Sequence, residues 1–238
     1  IFGAILSGTG GAETFIKMGQ RFTGRFTGGS GKVSVVASSL FGMISGSAIG
    51  NVVATGVFTI PSMKKAGYTN EWAATVEAVS STGGQIMPPI MGAAAFIMAQ
   101  LIGVNYIQIA KAAIVPALLY YLSTFLSIHL VSVRDGIKGS NEKPTIKVGD
   151  YLIILVPLVI FIGFLLAGYT VLIGAFYATI GALAMYVVRF IVSTKGDVKA
   201  VAKDTGKVCY NTVINGTNSI IDMCGILAGS QITVSLIN

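Results

Sequence analysis

The sequence predicts an all-α integral membrane protein, and three observations lead to that prediction. Of its 238 residues, 53% are hydrophobic and only 11% are charged, whereas a soluble domain carries about 25% charged residues. The mean hydropathy is +0.79. No Asp, Glu, Lys or Arg occurs in four long stretches, residues 33–63, 78–110, 112–133 and 151–188. These features exclude a soluble globular fold.

The basic residues lie in short clusters between the uncharged stretches. The clusters hold 15 of the 16 Lys and Arg residues: Lys17, Arg21, Arg25 and Lys32; Lys64 and Lys65; Arg134, Lys138, Lys143 and Lys147; and Arg189, Lys195, Lys199, Lys203 and Lys207. Basic residues concentrate on the cytoplasmic side of membrane proteins. The net charge of +7 therefore indicates topology and not nucleic-acid binding.

Residues 33–63 predict a re-entrant helical hairpin, because basic clusters flank them on both sides. Two arms of about 14 residues would each rise about 21 Å, short of the roughly 30 Å hydrocarbon core. The alternative is one tilted helix of roughly 46 Å. That helix would place the two clusters on opposite faces and carry four glycines in its interior, namely Gly42, Gly46, Gly50 and Gly56.

The middle of the hairpin reads Ser45-Gly46-Ser47-Ala48-Ile49-Gly50-Asn51. Unwound backbone at this depth is tolerated only where protein or a water-filled cavity satisfies it. Side-chain oxygens of Ser and Asn, together with backbone carbonyls outside a helix, can bind a small cation. The N-terminus of a helix can bind an anion. Close helix packing is the structural alternative, since small residues also let helices approach.

A second polar segment lies within residues 71–102, which predict a membrane crossing. It reads Ser80-Ser81-Thr82-Gly83-Gly84-Gln85-Ile86-Met87-Pro88-Pro89. Two glycines followed by two prolines cannot continue a regular helix. We therefore expect a discontinuous helix with a polar elbow, which together with a hairpin is typical of secondary transporters.

Ionisable residues in the apolar regions are few. Glu77 lies about two turns before the Gly83-Gly84 break and is a candidate coupling acid, although pairing near the interface would also explain it. His129 is expected at the cytoplasmic end of its helix, and Lys111 is expected to reach the outer surface. Asp222 lies in a polar C-terminal segment without an assigned role.

The remaining organisation follows from the same charge pattern. Residues 1–132 hold the end of a scaffold helix, the hairpin, the broken helix and a following helix over 106–132. Residues 133–150 are predicted to form a cytoplasmic linker. Residues 151–238 are predicted to form two further membrane crossings and a polar segment. The chain begins at Ile1 and ends at Asn238 within apolar runs, so we expect an internal piece of a longer protein.

The sequence contains no recognisable set of catalytic residues. The Gly28-Gly29-Ser30-Gly31-Lys32 run lacks the first glycine and the Ser or Thr of a phosphate-binding loop. A single His and two Cys without ligand spacing do not predict a zinc site. We expect no catalysis, no ATP use and no cofactor.

The two polar segments resemble a known family, the large membrane subunit of tripartite ATP-independent periplasmic (TRAP) transporters. The likeness is to the fused type that works with TAXI-class binding proteins. It covers about half of the chain densely. The matching motifs are Gly28-Gly29, Ser45-Gly46-Ser47-Ala48, Asn51, Thr59-Ile60-Pro61-Ser62-Met63-Lys64, Gly67-Tyr68, Glu77-Ala78, Ser81-Thr82-Gly83-Gly84-Gln85-Ile86-Met87-Pro88-Pro89, Met91-Gly92-Ala93-Ala94-Ala95-Phe96-Ile97-Met98 and Pro116-Ala117-Leu118-Leu119-Tyr120.

The resemblance implies a sodium-coupled importer of carboxylates, with two inverted repeats of the ion-transporter superfamily and elevator-type movement. It implies that sodium is held by Ser45, Ser47, Asn51, Ser81, Thr82 and Gly83, with Gly46, Gly84, Gln85 and Pro88 completing the ion and substrate site. The implied partners are a periplasmic TAXI-class binding protein and a small membrane subunit, fused or separate. The implied location is the inner membrane.

One departure bears on these expectations. The family's second hairpin and its second broken helix, with a Thr-Pro-Pro elbow, do not occur in the 238 residues. We therefore expect the first repeat and only the start of the second, and half of a binding site. Two other functions remain open: a related carboxylate/sodium symporter that needs no binding protein, and a membrane scaffold that does not transport.

Overall fold

The computed structural model describes residues 9–139 and 148–193, together with Ile5 and isolated positions between 206 and 224. The helices, in chain order, are α1 Gly11–Thr23, α2 Gly29–Ser45, α3 Ala48–Lys65, α4 Asn70–Thr82, α5 Ala93–Ile102, α6 Tyr106–Arg134, α7 Val148–Leu166 and α8 Val171–Ser193. A short 3₁₀ turn, Gly83–Gln85, follows α4. Every regular element within the described ranges is helical, which confirms the all-α prediction for that part of the chain.

Helices α2 and α3 form an antiparallel pair joined at Gly46 and Ser47. Gly46 has a left-handed backbone with φ of 64°, and Ser47 caps α3 by accepting from Gly50 N at 3.1 Å. The alternative of one continuous helix over 33–63 is therefore wrong. The arms have 17 and 18 residues, about 26 Å each at the helical rise. They exceed the expected length because Lys32, Lys64 and Lys65 lie inside the helices.

The predicted crossing over 71–102 is interrupted in the structure. Helix α4 ends at Thr82, the 3₁₀ turn follows, and α5 begins only at Ala93. We call residues 86–92 the elbow. Pro88 and Pro89 have no N–H to donate to a preceding turn, so the helix cannot run through them.

Helices α1, α4 and α6 pack against the hairpin. Helix α1 packs along α2, and α6 contacts α2, α4 and α5. One buried apolar cluster joins Phe15 of α1, Phe41 of α2 and Phe161 of α7. The linker expected over residues 133–150 is shorter at both ends in the structure, because α6 runs to Arg134 and α7 starts at Val148. Ile137 folds back onto the hairpin base, where its carbonyl accepts from Gly28 N at 3.0 Å.

Two described helical segments are long and apolar enough to cross a membrane, Tyr106–Arg134 and Leu172–Arg189. Ala93–Ile102 and Ile154–Leu166 are shorter apolar helical segments. The outer face of α6 exposes large apolar side chains along its length, among them Val115, Leu119, Leu122, Leu126 and Leu130. Such a continuous apolar face is typical of a surface in contact with lipid or another protein. Asp222 and the polar positions near it, Asn211, Asn215, Asn218 and Ser219, lie outside the described residues.

Candidate functional site

Three helices carry polar side chains at four-residue spacing, which places each set on one helix face. The sets are Ser34 and Ser38 on α2, Asn51, Thr55 and Thr59 on α3, and Glu77 and Ser81 on α4. The hairpin is antiparallel, so Ser38 lies beside Thr55 and Gly42 lies beside Asn51. All seven of these polar residues are fully buried, with at most 1% of their surface exposed.

Glu77 is the centre of this polar group. Its Oε2 accepts from the hydroxyls of Ser34 at 2.7 Å and Thr59 at 2.5 Å. Its Oε1 accepts from Thr55 at 2.5 Å, Ser81 at 3.3 Å and Ser38 at 3.4 Å. The carboxyl group therefore ties both arms of the hairpin to α4. We call Glu77 and these five hydroxyl residues the hydroxyl cage.

Asn51 lies one step from the hydroxyl cage toward the hairpin tip. Its Nδ2 donates to the carbonyl of Ser38 at 2.8 Å. Its Oδ1 lies 3.3 Å from the Thr55 hydroxyl, which has a shorter bond to Glu77. Because a hydroxyl has one proton to donate, Asn51 Oδ1 keeps lone pairs free for another group.

The hairpin and the broken helix touch backbone to backbone beside Asn51. A Cβ built on Gly42 would lie 2.6 Å from Gly84 Cα and 2.9 Å from Asn51 Nδ2. A Cβ on Gly84 would lie 2.5 Å from Gly42 Cα. Only glycine allows this approach at either position, so the last turn of α2 packs directly against the 3₁₀ turn that follows α4.

A second contact joins the hairpin tip to the elbow. Ile90 N donates to the Met43 carbonyl at 3.1 Å. A Cβ on Gly46 would lie 2.0 Å from the Met91 carbonyl oxygen, and Gly46 also has a positive φ. Glycine is required at Gly46 on both counts.

Tyrosines of α6 donate to backbone carbonyls on both sides of the break. The hydroxyl of Tyr120 donates to the Val79 carbonyl at 2.8 Å, and that of Tyr121 donates to the Ser80 carbonyl at 3.1 Å. The Tyr106 hydroxyl donates to the carbonyls of Pro89, at 3.1 Å, and of Ile90. Buried carbonyls need such partners, because leaving one unpaired is costly.

Replacing Tyr121 with phenylalanine should lower the free energy of unfolding by about 1 kcal/mol, because a buried carbonyl loses its donor. Thermal or denaturant unfolding of the purified full-length protein measures this. Tyr169→Phe is the matched control, since Tyr169 is 55% exposed. Equal effects of the two changes would contradict the role assigned to the Tyr121 hydroxyl.

Four helices begin or end where the hairpin tip and the broken helix meet, a place we call the junction. Their ends carry partial charges. Helices α2 and α4 both end there, at Ser45 and Thr82, and a helix C-terminus carries a partial negative charge. Helices α3 and α5 begin at Ala48 and Ala93, and a helix N-terminus carries a partial positive charge. The junction can therefore stabilise a cation beside α2 and α4 and an anion beside α3 and α5.

The structure brings together only some of the residues that the sequence singled out. Asn51 and Gly84 meet at Gly42, the Ser81 hydroxyl donates to Glu77, and Gly83 packs against Tyr120 and Tyr121. Ser45, Gly46 and Ser47 are half-buried at the tip, where Gly46 contacts the elbow.

The other singled-out residues lie outside the hydroxyl cage. Thr82 is exposed, and its hydroxyl donates to the Ala78 carbonyl at 2.8 Å, within its own helix. Gln85 is also exposed, and its carbonyl accepts from Gly92 N at 2.7 Å. Pro88 lines an apolar cavity of about 300 Å³ between the elbow, α6 and α7, where Lys111 also lies.

Sequence reasoning missed most of the hydroxyl cage. Ser34, Ser38, Thr55 and Thr59 were not singled out, and neither was Gly42 as a contact point. The signal that could have found them is the four-residue spacing of small polar residues within an uncharged stretch, in step with Asn51 and Glu77.

Lys32 and His129 lie together in the structure. Lys32 was grouped with the basic residues that mark the cytoplasmic side, yet it is only 4% exposed. Its Nζ lies 3.1 Å from His129 Nδ1 and 4.9 Å from the centre of the Phe125 ring. The pair therefore joins the base of the hairpin to α6.

A helical hairpin whose break meets the break of a discontinuous helix defines a class of protein, the membrane domain of a secondary transporter. The family comparison agrees with this class. The chain belongs to the family described as the tripartite ATP-independent periplasmic transporter, DctM component, whose model matches residues 1–238.

Similar proteins have names from the same group. The chain is 32% identical over 145 residues to the C4-dicarboxylate TRAP transporter large permease protein DctM of Vibrio cholerae, covering 60% of this chain and 31% of that protein. It is 28% identical over 137 residues to the sialic acid TRAP transporter permease protein SiaT of Haemophilus influenzae, covering 57% and 22%. It is 25% identical over 170 residues to the sialic acid TRAP transporter large permease protein SiaM of Vibrio cholerae, covering 70% and 39%. The alignments thus span well under half the length of these relatives.

Proposed function

We propose that this chain forms part of the membrane permease of a sodium-coupled importer of small organic anions, dependent on a binding protein. The observation that carries the proposal is the backbone contact of Gly42 with Gly84, which joins the hairpin to the broken helix beside Asn51. This contact gathers buried neutral oxygens and two helix C-termini in one place. Besides its substrate, the proposal requires a coupling ion but no ATP and no cofactor.

The residues present fit a sodium ion. Hard cations prefer oxygen ligands, and Asn51 Oδ1 and Ser81 Oγ are buried oxygens with lone pairs to spare. Ser45 and Ser47 of the tip are proposed to complete the ion site, together with Gly83 and carbonyls of the break. Thr82 lies on the exposed face of α4 in this structure, so it joins the site only if the end of α4 turns about its axis.

A carboxylate is the proposed substrate class. Relatives are named for C4-dicarboxylate and for sialic acid, both organic acids. The N-termini of α3 and α5 at the junction offer backbone N–H groups and positive dipole ends, which favour an anionic group. Gly46, Gly84, Gln85 and Pro88 are the proposed neighbours of the substrate.

The proposed partners are a periplasmic binding protein of the TAXI class and a small membrane subunit, fused or separate. The support for the TAXI class is the sequence resemblance around the two polar segments. The proposed location is the inner membrane, with several crossings. The proposed architecture is an inverted repeat that moves in elevator fashion, of which residues 1–132 are the first repeat and 151–238 the beginning of the second.

The proton is the second candidate coupling ion. Glu77 supports it, because a carboxyl group buried among membrane-embedded helices is a functional candidate by default. A carboxylate symporter that needs no binding protein is the second candidate transport function.

Uptake by the full-length protein in proteoliposomes tests the proposal. We expect uptake of an organic acid only when both sodium and the binding protein are present outside. Unchanged uptake in sodium-free medium at fixed pH would contradict sodium coupling, and a requirement for a pH gradient would then identify the proton. Uptake without the binding protein would point to the independent symporter, and no uptake under any condition would favour the scaffold.

Replacing Asn51 with alanine should raise the sodium concentration for half-maximal uptake by tenfold or more, because a buried ligand oxygen is lost. Sodium titration of uptake measures this. Asn70→Ala is the control, since Asn70 is exposed in the first turn of α4. An unchanged sodium dependence in Asn51→Ala would remove Asn51 from the ion site.

A further inference from the structure

The apolar cavity beside the elbow is a groove that runs along α6. Its wall on that helix consists of Ile107, Ala110, Ile114 and Leu118, with Lys111 beside them. Spacings of three and four residues place these side chains on one face of the helix. The rise from Ile107 to Leu118 is about 16 Å, and the hydrocarbon core of a bilayer is roughly 30 Å thick. The groove is therefore about as long as the apolar part of one leaflet.

The other walls of the groove come from the elbow and the end of α7. Met87, Pro88 and Pro89 line one side, and Ile162, Leu165 and Leu166 line the other. In the topology that the basic clusters predict, α6 begins and α7 ends on the outer side of the membrane. The groove therefore lies in the outer leaflet. Ile90 and Met91 of the elbow contact the hairpin tip instead, so the groove and the tip contact different residues of the elbow.

The chemistry of the wall favours an apolar ligand. Every lining residue except Lys111 is apolar, and such a wall gives water no hydrogen-bond partners. Ile114 and Leu118 are 45% and 55% exposed. Leu118 adjoins Val115 and Leu122 of the exposed apolar face of α6 at three- and four-residue spacing. The groove is thus continuous with an apolar surface of a membrane-embedded helix, from which an acyl chain can enter.

Lys111 adds a positive charge to this apolar groove. It is the only Lys, Arg, Asp or Glu in residues 78–133, and it takes part in no ion pair with the residues that the structure describes. Lys111 lies about 8 Å from the first residue of α6 at the helical rise, so its flexible side chain can reach the head-group region. An unpaired cation at that depth favours the head group of an anionic lipid.

We propose that the groove is a binding site for an anionic phospholipid of the outer leaflet. One acyl chain lies between the elbow, α6 and α7, and Lys111 binds the phosphate of the head group. The inference goes beyond the proposed function, since it requires a membrane-embedded chain but assumes neither a coupling ion nor a substrate. It gives Lys111 a role, and it gives Met87, Pro88 and Pro89 an apolar partner on the side of the groove.

Native mass spectrometry of the purified full-length protein tests the head-group contact, because it counts bound lipids. The anionic probe is dioleoylphosphatidylglycerol, and the zwitterionic probe is dioleoylphosphatidylcholine. We expect the tightest site to half-saturate with phosphatidylglycerol at a concentration at least fivefold lower than with phosphatidylcholine. Lys111→Gln should remove this preference. Lys65→Gln should keep it, because Lys65 is exposed at the other end of the membrane, in the last turn of α3.

Two results of this titration would overturn the proposal. One is a wild type that binds the two lipids equally or retains neither. The other is an unchanged preference for phosphatidylglycerol in Lys111→Gln, which would place the anionic head group elsewhere.

A second pair of variants tests the acyl-chain contact. Ile114→Trp fills the groove from its wall, whereas Val115→Trp adds the same side chain at a neighbouring position that is 63% exposed and does not line the groove. We expect Ile114→Trp to raise the half-saturating concentration of phosphatidylglycerol at least fivefold and Val115→Trp to leave it unchanged. Equal lipid binding in the two variants would overturn the placement of the chain in the groove.

Photo-crosslinking decides the matter if Ile114→Trp does not fold. A photo-crosslinking amino acid replaces Leu118, which is half exposed, and the full-length protein is irradiated in liposomes that contain phosphatidylglycerol. We expect a covalent adduct with the phospholipid. An adduct with another segment of the full-length protein, and none with lipid, would overturn the proposal, because that segment would then fill the groove.

Discussion

Replacing Gly42 with alanine should abolish sodium-dependent uptake and lower the free energy of unfolding by about 3 kcal/mol. The added Cβ would lie 2.6 Å from Gly84 Cα and 2.9 Å from Asn51 Nδ2. Backbone atoms cannot move aside as the end of a flexible side chain can, so α2 must separate from the broken helix. Inserting a methyl group into such a packed contact usually costs about 1 to 3 kcal/mol. Uptake and denaturant unfolding of the full-length protein measure the two effects.

The control for this prediction is Gly163→Ala in α7. A Cβ on Gly163 would meet nothing within 4 Å, so the change should be neutral or stabilising through helix propensity. Gly84→Ala should reproduce the effect of Gly42→Ala, because its Cβ meets the same contact from the other side at 2.5 Å. Normal uptake in Gly42→Ala would show that the hairpin and the broken helix do not meet here.

Replacing Ser34 with alanine should lower the free energy of unfolding by about 2 kcal/mol. Ser34 is fully buried, and its hydroxyl donates to Glu77 Oε2 at 2.7 Å. Removing one partner of a buried hydrogen bond costs about 1 to 3 kcal/mol, because the other partner is left unsatisfied. The same change in a Glu77→Gln background should have a smaller effect, by about 1 kcal/mol, because residues that share a hydrogen bond are coupled.

The double-mutant cycle of Ser34→Ala with Glu77→Gln measures that difference. Ser39→Ala is the control on the same helix, since the Ser39 hydroxyl donates to the Val36 carbonyl at 2.9 Å and not to Glu77. Additive effects of the two changes would contradict the hydrogen bond between Ser34 and Glu77.

The breaks in the helices were predictable from sequence because their causes are local. Gly46 provides the left-handed backbone of the tip, and Pro88 with Pro89 prevents a helix from running through the elbow. Glu77 was also found, since a carboxyl residue stands out within an apolar region.

The contacts between helices were not predictable from these local signals. Sequence reasoning placed Ser45, Ser47 and Thr82 in the site by position in a motif, but it could not give the rotation of each helix. Thr82 faces outward because Ser81, one residue earlier, already faces the hairpin, and neighbouring residues on a helix point about 100° apart. Lys32 was grouped with the basic residues that mark the cytoplasmic side, and its burial against His129 was not visible in the sequence.

The central claim is that the hairpin tip and the broken helix form one polar site that holds the coupling cation. A high-resolution cryo-electron microscopy map of the full-length protein in sodium chloride tests it most directly. The predicted result is Gly42 in contact with Gly84 and ion density in direct contact with the side-chain oxygen of Asn51. A tip that lies in lipid away from residues 86–92, or a bound sodium ion remote from Asn51 and Ser81, would contradict the claim.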